Sequence, residues 1–214
     1  MKRVIAHVIT SVIALVILCL QLSKTASMAL FLWFAPNAIS VGTIVVLLLL
    51  NLKHKPVQIK DTFIVFCAAM LSTNFCVIIS LFGNLFPLYQ DAPLSNLQAT
   101  GAFLNMLSMP FYVWAVLSLG RGFTILPEAH RLSARGIYKI SRHPIYLTYV
   151  FWCITQNMIY QTGSVIVFSV IQIVLYGFRA RCEEKVLSDT FPEYDGYLKR
   201  VMWLGTRKKG ENKA

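Results

Sequence analysis

Five side chains in the second half of the sequence are of types that together bind a charged and aromatic ligand. Tyr138, His143 and Tyr146 lie close together, and Arg179 and Glu183 follow, four residues apart. A carboxylate pairs with an ammonium group, an imidazole donates or accepts a hydrogen bond, and an aromatic face attracts a cation. With long apolar stretches beside them, these residues indicate a site for two molecules, a charged aromatic cofactor and a lipophilic substrate.

Other kinds of chemistry are not indicated by the spacing. The five cysteines show no C-x-x-C pattern, so we expect small buried hydrophobic residues and neither a disulfide framework nor a metal site. They are Cys19, Cys67, Cys76, Cys153 and Cys182. Gly120-Arg121-Gly122 is too short for a dinucleotide-binding fingerprint.

The composition predicts the elements that must position these residues. Of the 214 residues, 57% are apolar and 14% are charged, whereas a soluble domain has an apolar share of ~45–50%. A helix needs about 20 mostly apolar residues to cross the hydrocarbon core, and about six stretches approach that length. They are Val4–Leu22, Ala26–Leu50, Thr62–Phe82, Ala99–Leu119, Pro144–Tyr160 and Ser164–Phe178.

Both ends of the chain carry signals that bear on this count. The first apolar stretch is longer than the core of a secretory signal and leads directly into the next, so we expect a retained span. Gly210 to Ala214 contains no prenylation box, so we expect no lipid anchor there.

The positions of the basic residues predict the orientation. If both termini are cytoplasmic, all of the 20 lysines and arginines except Lys24 lie on the cytoplasmic side or its helix ends, as the positive-inside rule expects. The net charge of +11 then reflects topology and contact with anionic lipids. Nucleic-acid binding is not expected, because it requires a basic soluble module.

The fold class that follows is all-α, a polytopic membrane helix bundle of about six transmembrane helices. Residues 1–120 form four spans, and residues 121–214 form a catalytic region. That region contains a cytoplasmic loop, a tight hairpin of the last two spans and an amphipathic C-terminal segment. Because both hairpin ends face the same side, we expect Arg135–Tyr146 to meet Arg179–Glu184 in a cofactor pocket at the cytoplasmic face.

A structural explanation of the same residues stays open at this point. Basic residues at a helix end often extend to the interface as anchors. Glu183 and Glu184 could also serve only to neutralise Arg179 and Arg181.

Four short motifs resemble the isoprenylcysteine carboxyl methyltransferase family. They are G-I-Y-x-x-x-R-H-P-x-Y (Gly136 to Tyr146), T-Q (Thr155 and Gln156), R-x-x-x-E-E (Arg179 to Glu184) and F-x-x-Y-x-x-Y (Phe191 to Tyr197). The preceding I-L-P-E-A-H-R-L (Ile125 to Leu132) looks like the bacterial members. Phe123 and the tail Met202-Trp203-Leu204 depart from the family pattern.

This resemblance implies a membrane-embedded methyltransferase that uses S-adenosyl-L-methionine. It implies an orienting, catalytic and substrate-contacting role for Arg179, and we place Trp152 and Gln156 beside the substrate. The implied cofactor-binding residues are His130, Arg131, Leu132, Ser133, Tyr138, His143, Pro144, Ile145, Tyr146 and Glu183. The expected acceptor is a prenyl-type or other lipid-like acid, either small or anchored to a lipid. Carboxyl O-methylation then needs no general base, because the acceptor is already an anion.

Other acceptors and reactions stay open from the residues alone. Related membrane enzymes that methylate phospholipids, amines or thiols share the R-x-x-x-E-E element, and a sterol-type membrane reductase is a more remote alternative. The expected location is an integral membrane position with a cytoplasmic active site, in the inner membrane if the source is bacterial.

Overall fold

The structure is a computed structural model that describes residues 95–120, 132 and 134–203, with Val12, Gly42 and Val46 as single helical positions. Of two short strands, Gln58–Ile59 and Glu128–Ala129, it describes the backbone. In chain order the elements are β1 (Gln58–Ile59), α1 (Asn96–Leu119), β2 (Glu128–Ala129), a 3₁₀ helix (Gly136–Lys139), α2 (Pro144–Tyr160), α3 (Gly163–Thr190) and α4 (Tyr194–Arg200).

Helix α1 begins at a reciprocal cap. The Gln98 backbone N–H donates to Ser95 Oγ at 3.3 Å, and the Ser95 backbone N–H donates to Gln98 Oε1 at 2.9 Å. These two bonds satisfy donors that the first helical turn would leave without partners. The helix ends before Gly120, whose φ of 53° is in the left-handed region that favours glycine.

Helix α2 has the bounds that the sequence predicts for the fifth span. Pro144 occupies its first turn, where a missing N–H costs nothing and the fixed φ is already helical. Gln161 ends the helix with a left-handed φ of 53°, and its backbone N–H donates to the Asn157 carbonyl at 3.1 Å. Only Gln161 and Thr162 separate α2 from α3.

Helix α3 contains 28 residues and ends at Thr190. The residue before a proline is disfavoured in helical conformation, and Phe191, which precedes Pro192, is extended with φ −121° and ψ 103°. The short helix α4 follows, with Asp195 in its first turn and basic residues in its last turn. Both charge positions complement the helix dipole.

The three long helices pack through small and polar groups. Gly101 of α1 lies against α2 so closely that a Cβ there would stand 2.9 Å from Met158 Cβ. Trp152 Nε1 donates to Ser108 Oγ at 2.6 Å between α2 and α1, and Asn157 Nδ2 donates to Ser169 Oγ at 2.7 Å between α2 and α3. Small residues and side-chain hydrogen bonds of this kind are typical of helix contacts in membranes.

Helices α1 and α3 are long and apolar enough to cross a membrane. On α3, the buried side includes Gln172, Tyr176 and Arg179, whereas large apolar side chains point outward. The exposed set on α3 comprises Ile166, Val167, Val170, Ile171, Ile173, Val174 and Phe178. This arrangement, polar inside and apolar outside, fits a helix in lipid. The six-span count and the two-part division of the chain stay predictions, since nearly all of residues 1–94 lies outside the described residues.

The β strands form a small exception to the helical fold. Gln58 pairs with Ala129 and Ile59 with Glu128 in antiparallel register, and both strands lie beside α3. The pairing therefore brings part of the loop before His143 next to α3.

Candidate active site

The start of α2 and the middle of α3 meet at one carboxylate. Glu183 Oε1 accepts a hydrogen bond from the Tyr146 hydroxyl at 2.5 Å and another from Arg179 Nε at 3.1 Å. Because Arg179 and Glu183 are four residues apart, they share one helix face, as their spacing predicts. The expected meeting of Arg135–Tyr146 with Arg179–Glu184 is confirmed.

The next residue of α3 bonds to the loop that precedes α2. Glu184 Oε1 lies 2.8 Å from His143 Nε2 and 3.1 Å from Arg142 Nη1. Two consecutive carboxylates therefore contact different groups, since neighbouring side chains on a helix point about 100° apart. Glu183 contacts a tyrosine and an arginine within the helix pair, and Glu184 contacts the loop.

Arg179 is the buried cation of the site, with 8% of its surface exposed. Its guanidinium carbon lies 5.8 Å from the centre of the Tyr146 ring, a distance at which the ring face attracts a cation. Removing a charge from water costs several kcal/mol per ion even after relaxation. A buried arginine on a helix that is apolar enough to cross a membrane, with a carboxylate and an aromatic ring beside it, is therefore a candidate functional residue.

Tyr138 belongs to the same neighbourhood through the 3₁₀ helix. Its carbonyl accepts a hydrogen bond from the Tyr197 hydroxyl at 2.7 Å. Burial, then the charge of Glu183 and the Tyr197 hydroxyl, raise the pKa of Tyr138 well above its usual value, so its phenol stays neutral. Gly136 lets this turn form, because its φ is 56° and a Cβ would collide with the Ser118 hydroxyl of α1.

A row of aromatic rings leads from the charged groups into the helix bundle. Tyr146 lies 5.6 Å from Tyr176, which stacks on Tyr149 at 5.1 Å between ring centres. Tyr149 lies 5.4 Å from Trp152, and Trp152 lies 5.0 Å from Tyr112. These spacings are those of favourable aromatic pairs. The row gives the charged site an apolar wall on its bundle side.

The predicted cofactor residues and Arg179 lie in different parts of the structure. Tyr138, His143, Tyr146, Arg179 and Glu183 converge at the two carboxylates. Pro144 starts α2, and Ile145 packs with Tyr112, Ala115 and Val116 of the core. Leu132 packs instead with Tyr194, Tyr197 and Val201. His130, Arg131 and Ser133 lie outside the described residues.

The two predicted substrate residues lie further along α2. Trp152 joins the aromatic row, and the buried Gln156 Oε1 has no hydrogen-bond partner within the described part of the chain. Gln156 is ten residues from Tyr146, which corresponds to about 15 Å along a helix. Trp152 and Gln156 therefore do not touch the carboxylates and lie deeper in the helix bundle.

Sequence reasoning missed three contacts at the site. Glu184 was given only a possible neutralising role beside Arg179 and Arg181, and neither Tyr176 nor Trp203 was predicted as a site residue. Tyr176 could have been found from its position, because it is three residues before Arg179 and seven before Glu183 and so shares their face. The Trp203 ring lies 4.7 Å from the His143 ring, and no local spacing predicts that contact.

The site has the groups to hold a ligand that carries an ammonium and an aromatic ring. Both protein donors to Glu183 use Oε1, and an ionised carboxylate has further acceptor positions on its second oxygen. The rings of Tyr138 and Tyr146 lie nearby. No cluster of three or more His, Cys, Asp or Glu side chains suited to a metal occurs in the part of the chain that the structure describes.

Comparison with known proteins covers this same region. Residues 102–189 match the isoprenylcysteine carboxyl methyltransferase (ICMT) family. Protein-S-isoprenylcysteine O-methyltransferase B of Arabidopsis thaliana is 35% identical over 94 residues, which is 41% of this chain and 48% of the relative. Protein-S-isoprenylcysteine O-methyltransferase of Saccharomyces cerevisiae is 36% identical over 108 residues, 47% of this chain and 45% of the relative.

The match is partial in length but includes the site. This chain spans about half the length of these curated relatives. The matched residues contain the 3₁₀ helix, all of α2, and Arg179, Glu183 and Glu184 of α3. Residues 102–189, which contain the site, are therefore similar to the isoprenylcysteine carboxyl methyltransferase family.

Proposed function

We propose that this protein is an integral membrane methyltransferase that uses S-adenosyl-L-methionine to methylate the carboxylate of a prenyl-type or other lipid-like acid. One observation carries the proposal. Glu183 is bonded to Tyr146 and Arg179, beside His143 and Glu184, within the segment that matches the family. The relatives named for O-methylation of isoprenylcysteine favour a carboxylate acceptor over an amine or a thiol.

The cofactor-binding side of the proposal rests on the groups around Glu183. S-adenosylmethionine, when bound, supplies an electrophilic methyl group on a sulfonium. Glu183 would pair with its ammonium, and the rings of Tyr138 and Tyr146 would line its cationic and aromatic parts. His143 would bond to a polar edge. The proposed cofactor set also includes Pro144 and Ile145 of α2, and His130, Arg131, Leu132 and Ser133 of the preceding loop.

Arg179 is the proposed partner of the acceptor. A guanidinium matches the geometry of a carboxylate, so Arg179 would hold the acceptor's anion in line for transfer. The burial of Arg179 favours this role, because electrostatic contacts strengthen where water is excluded. Its contact with Glu183 limits how strongly it draws charge from the acceptor. We therefore assign Arg179 orientation ahead of activation.

The apolar part of the acceptor would approach through the helix bundle. Trp152 and Gln156 extend from the charged site along α2, and the outer faces of α1 and α3 are apolar. A lipid-like chain could lie beside Trp152 while its carboxylate reaches Arg179. We place the site and both termini on the cytoplasmic side, because this orientation puts nearly all of the basic residues there.

The test is transfer of a labelled methyl group by the purified full chain in lipid nanodiscs. The probes are methyl-labelled S-adenosylmethionine and N-acetyl-S-farnesylcysteine, a small prenylcysteine. We expect label in the organic extract that base treatment releases as methanol, as an ester requires. The matched control acceptor is the methyl ester of the same compound, which should take up no label. Label that resists base, or equal label with the ester, would overturn O-methylation.

A further inference from the structure

The chain after α4 holds the loop that contains His143. The Arg142 backbone N–H donates to the Met202 carbonyl at 3.1 Å, and the Ser141 hydroxyl donates to the Trp203 carbonyl. The Trp203 ring lies 4.7 Å from the His143 ring with a tilt of 47°, within the range of favourable aromatic contacts. These three contacts join residues about sixty positions apart and lie partly beyond the family match, which ends at residue 189.

The other side of His143 is fixed by Glu184. An ionised carboxylate only accepts hydrogen bonds, so His143 Nε2 must carry the hydrogen of the 2.8 Å contact. Nδ1 is then the ring nitrogen that remains for another partner, and the described residues 134–203 provide it with no hydrogen bond. The ring is 6% exposed and also contacts Tyr146 at 5.5 Å. Contacts with Glu184, Trp203 and Tyr146 therefore fix the orientation of the His143 ring from three directions.

We propose that Trp203 is a positioning residue, which together with Glu184 aims His143 Nδ1 at the bound cofactor. This inference rests on the proposed function. Trp203 restricts the tilt of the imidazole, and Glu184 fixes which nitrogen carries hydrogen. An imidazole that carries its hydrogen on Nε2 accepts an N–H from the ligand at Nδ1, and the ammonium and the exocyclic amine of S-adenosylmethionine both provide one. The C-terminal segment therefore tunes cofactor affinity without contacting the acceptor.

The experiment compares Trp203→Ala with Trp203→Phe in the full chain in nanodiscs. We expect Trp203→Ala to raise KM for S-adenosylmethionine about five- to tenfold, the size of one aromatic contact, with kcat at saturation unchanged. Trp203→Phe keeps a ring against His143 and should recover most of the affinity. The matched control is Ile140→Ala, a truncation in the same loop at a side chain that is 53% exposed. A fall in kcat without a change in KM would overturn the proposal. A KM for S-adenosylmethionine in Trp203→Ala equal to that of Ile140→Ala would also overturn it.

A second readout separates this proposal from the proposed function. The imidazole proton signals of His143, assigned with His143→Gln among the four histidines of the chain, should carry a ring-current shift from Trp203 in the absence of any cofactor. Trp203→Ala should remove that shift, and Ile140→Ala should leave it. If the wild type binds no S-adenosylmethionine but shows the shift, the function fails and the contact stands. If the shift is absent from the wild type, the positioning role fails. If Trp203→Ala does not fold, Trp203→Phe decides the outcome. The positioning role then fails if Trp203→Phe binds S-adenosylmethionine as tightly as Ile140→Ala does but lacks the shift.

Discussion

The two ends of the α2–α3 pair are held by different kinds of contact. At the end near the connecting turn, Asn157 donates to Ser169, and Gln98 Nε2 of α1 donates to the Ile159 carbonyl at 3.1 Å. These bonds join neutral groups. At the other end, two carboxylates contact two arginines, a histidine and a tyrosine.

The difference indicates which end does more than hold helices together. Neutral bonds between neighbouring helices suffice for packing in a membrane, whereas buried charges are costly and seldom improve stability. The charged end therefore has a cost that packing does not explain, and this cost favours the ligand-binding role proposed above. Changes at the charged end should alter function strongly, and changes at the neutral end should alter stability slightly.

The largest effect is expected from Arg179→Ala. Loss of the guanidinium should lower kcat about 10²–10³-fold, since alignment and charge stabilisation of the acceptor are lost. Cofactor affinity, measured by calorimetry on the full chain, should change by less than about threefold, well below the cost of losing a buried binding contact. Arg181→Ala is the control, because Arg181 is exposed two residues away. Equal losses of turnover and cofactor binding would contradict the role assigned to Arg179.

Glu183→Gln should act on the cofactor instead. The amide has nearly the shape of the carboxylate but no charge to pair with an ammonium, so S-adenosylmethionine should bind about 30- to 100-fold more weakly. Glu193→Gln, an exposed position between α3 and α4, is the matched control. Retention of wild-type affinity in Glu183→Gln would show that another group binds the ammonium.

Ser169→Ala tests the neutral end. The substitution removes the acceptor of the Asn157 bond, and such interhelical bonds contribute about 0.6 kcal/mol on average. We expect Tm in detergent to fall by no more than about 3 °C, with kcat and cofactor affinity unchanged. A large loss of activity would mean that the two ends are not functionally distinct.

Tyr197→Phe tests a contact outside the α2–α3 pair, and the size of its effect depends on pH. Burial raises the pKa of Tyr197 to about 12. The charge of Arg142 opposes this effect, and the charge of Glu184 adds to it. A tyrosine whose pKa is raised in the folded state contributes its full stabilisation at pH values below the pKa of an unfolded tyrosine, about 10. This contribution disappears as the pH rises through the pKa of the folded state. Tyr197→Phe, which loses the bond to Tyr138, should be less stable by about 1 kcal/mol near pH 8. The difference from the wild type should narrow between pH 10 and pH 12 in thermal unfolding, and a constant difference would be evidence against a buried neutral phenol.

Local patterns predicted several of these elements well. The bounds of α2 follow from Pro144 at its start and the polar turn after Tyr160, and both can be recognised in a short window of sequence. The four-residue spacing of Arg179 and Glu183 predicted their contact, because the helix period alone brings them together. Two consecutive predicted spans separate His143 from Glu183, so the sequence predicted that both residues would lie at helix ends on the same side of the membrane.

Contacts between distant segments could not be predicted in this way. The resemblance pointed to His143 and Glu183 as cofactor ligands, yet His143 bonds to Glu184, and Glu183 bonds to Tyr146. Which of two adjacent carboxylates reaches which partner depends on the rotation of α3 about its axis. Side-chain packing with α2 sets that rotation, and no spacing within α3 encodes it.

The sequence by itself determined that the chain has long apolar helices, where α2 begins and ends, and which residue types gather at its charged end. Those properties depend on neighbours within a few positions, through helix period, proline geometry and hydrophobic content. Only the tertiary structure decided that Trp203 covers His143 and that the Tyr197 hydroxyl donates to the Tyr138 carbonyl. It also decided that Glu183 and Glu184 contact different side chains. The physical reason is that each of these contacts joins segments whose relative placement is fixed by packing of the whole helix group.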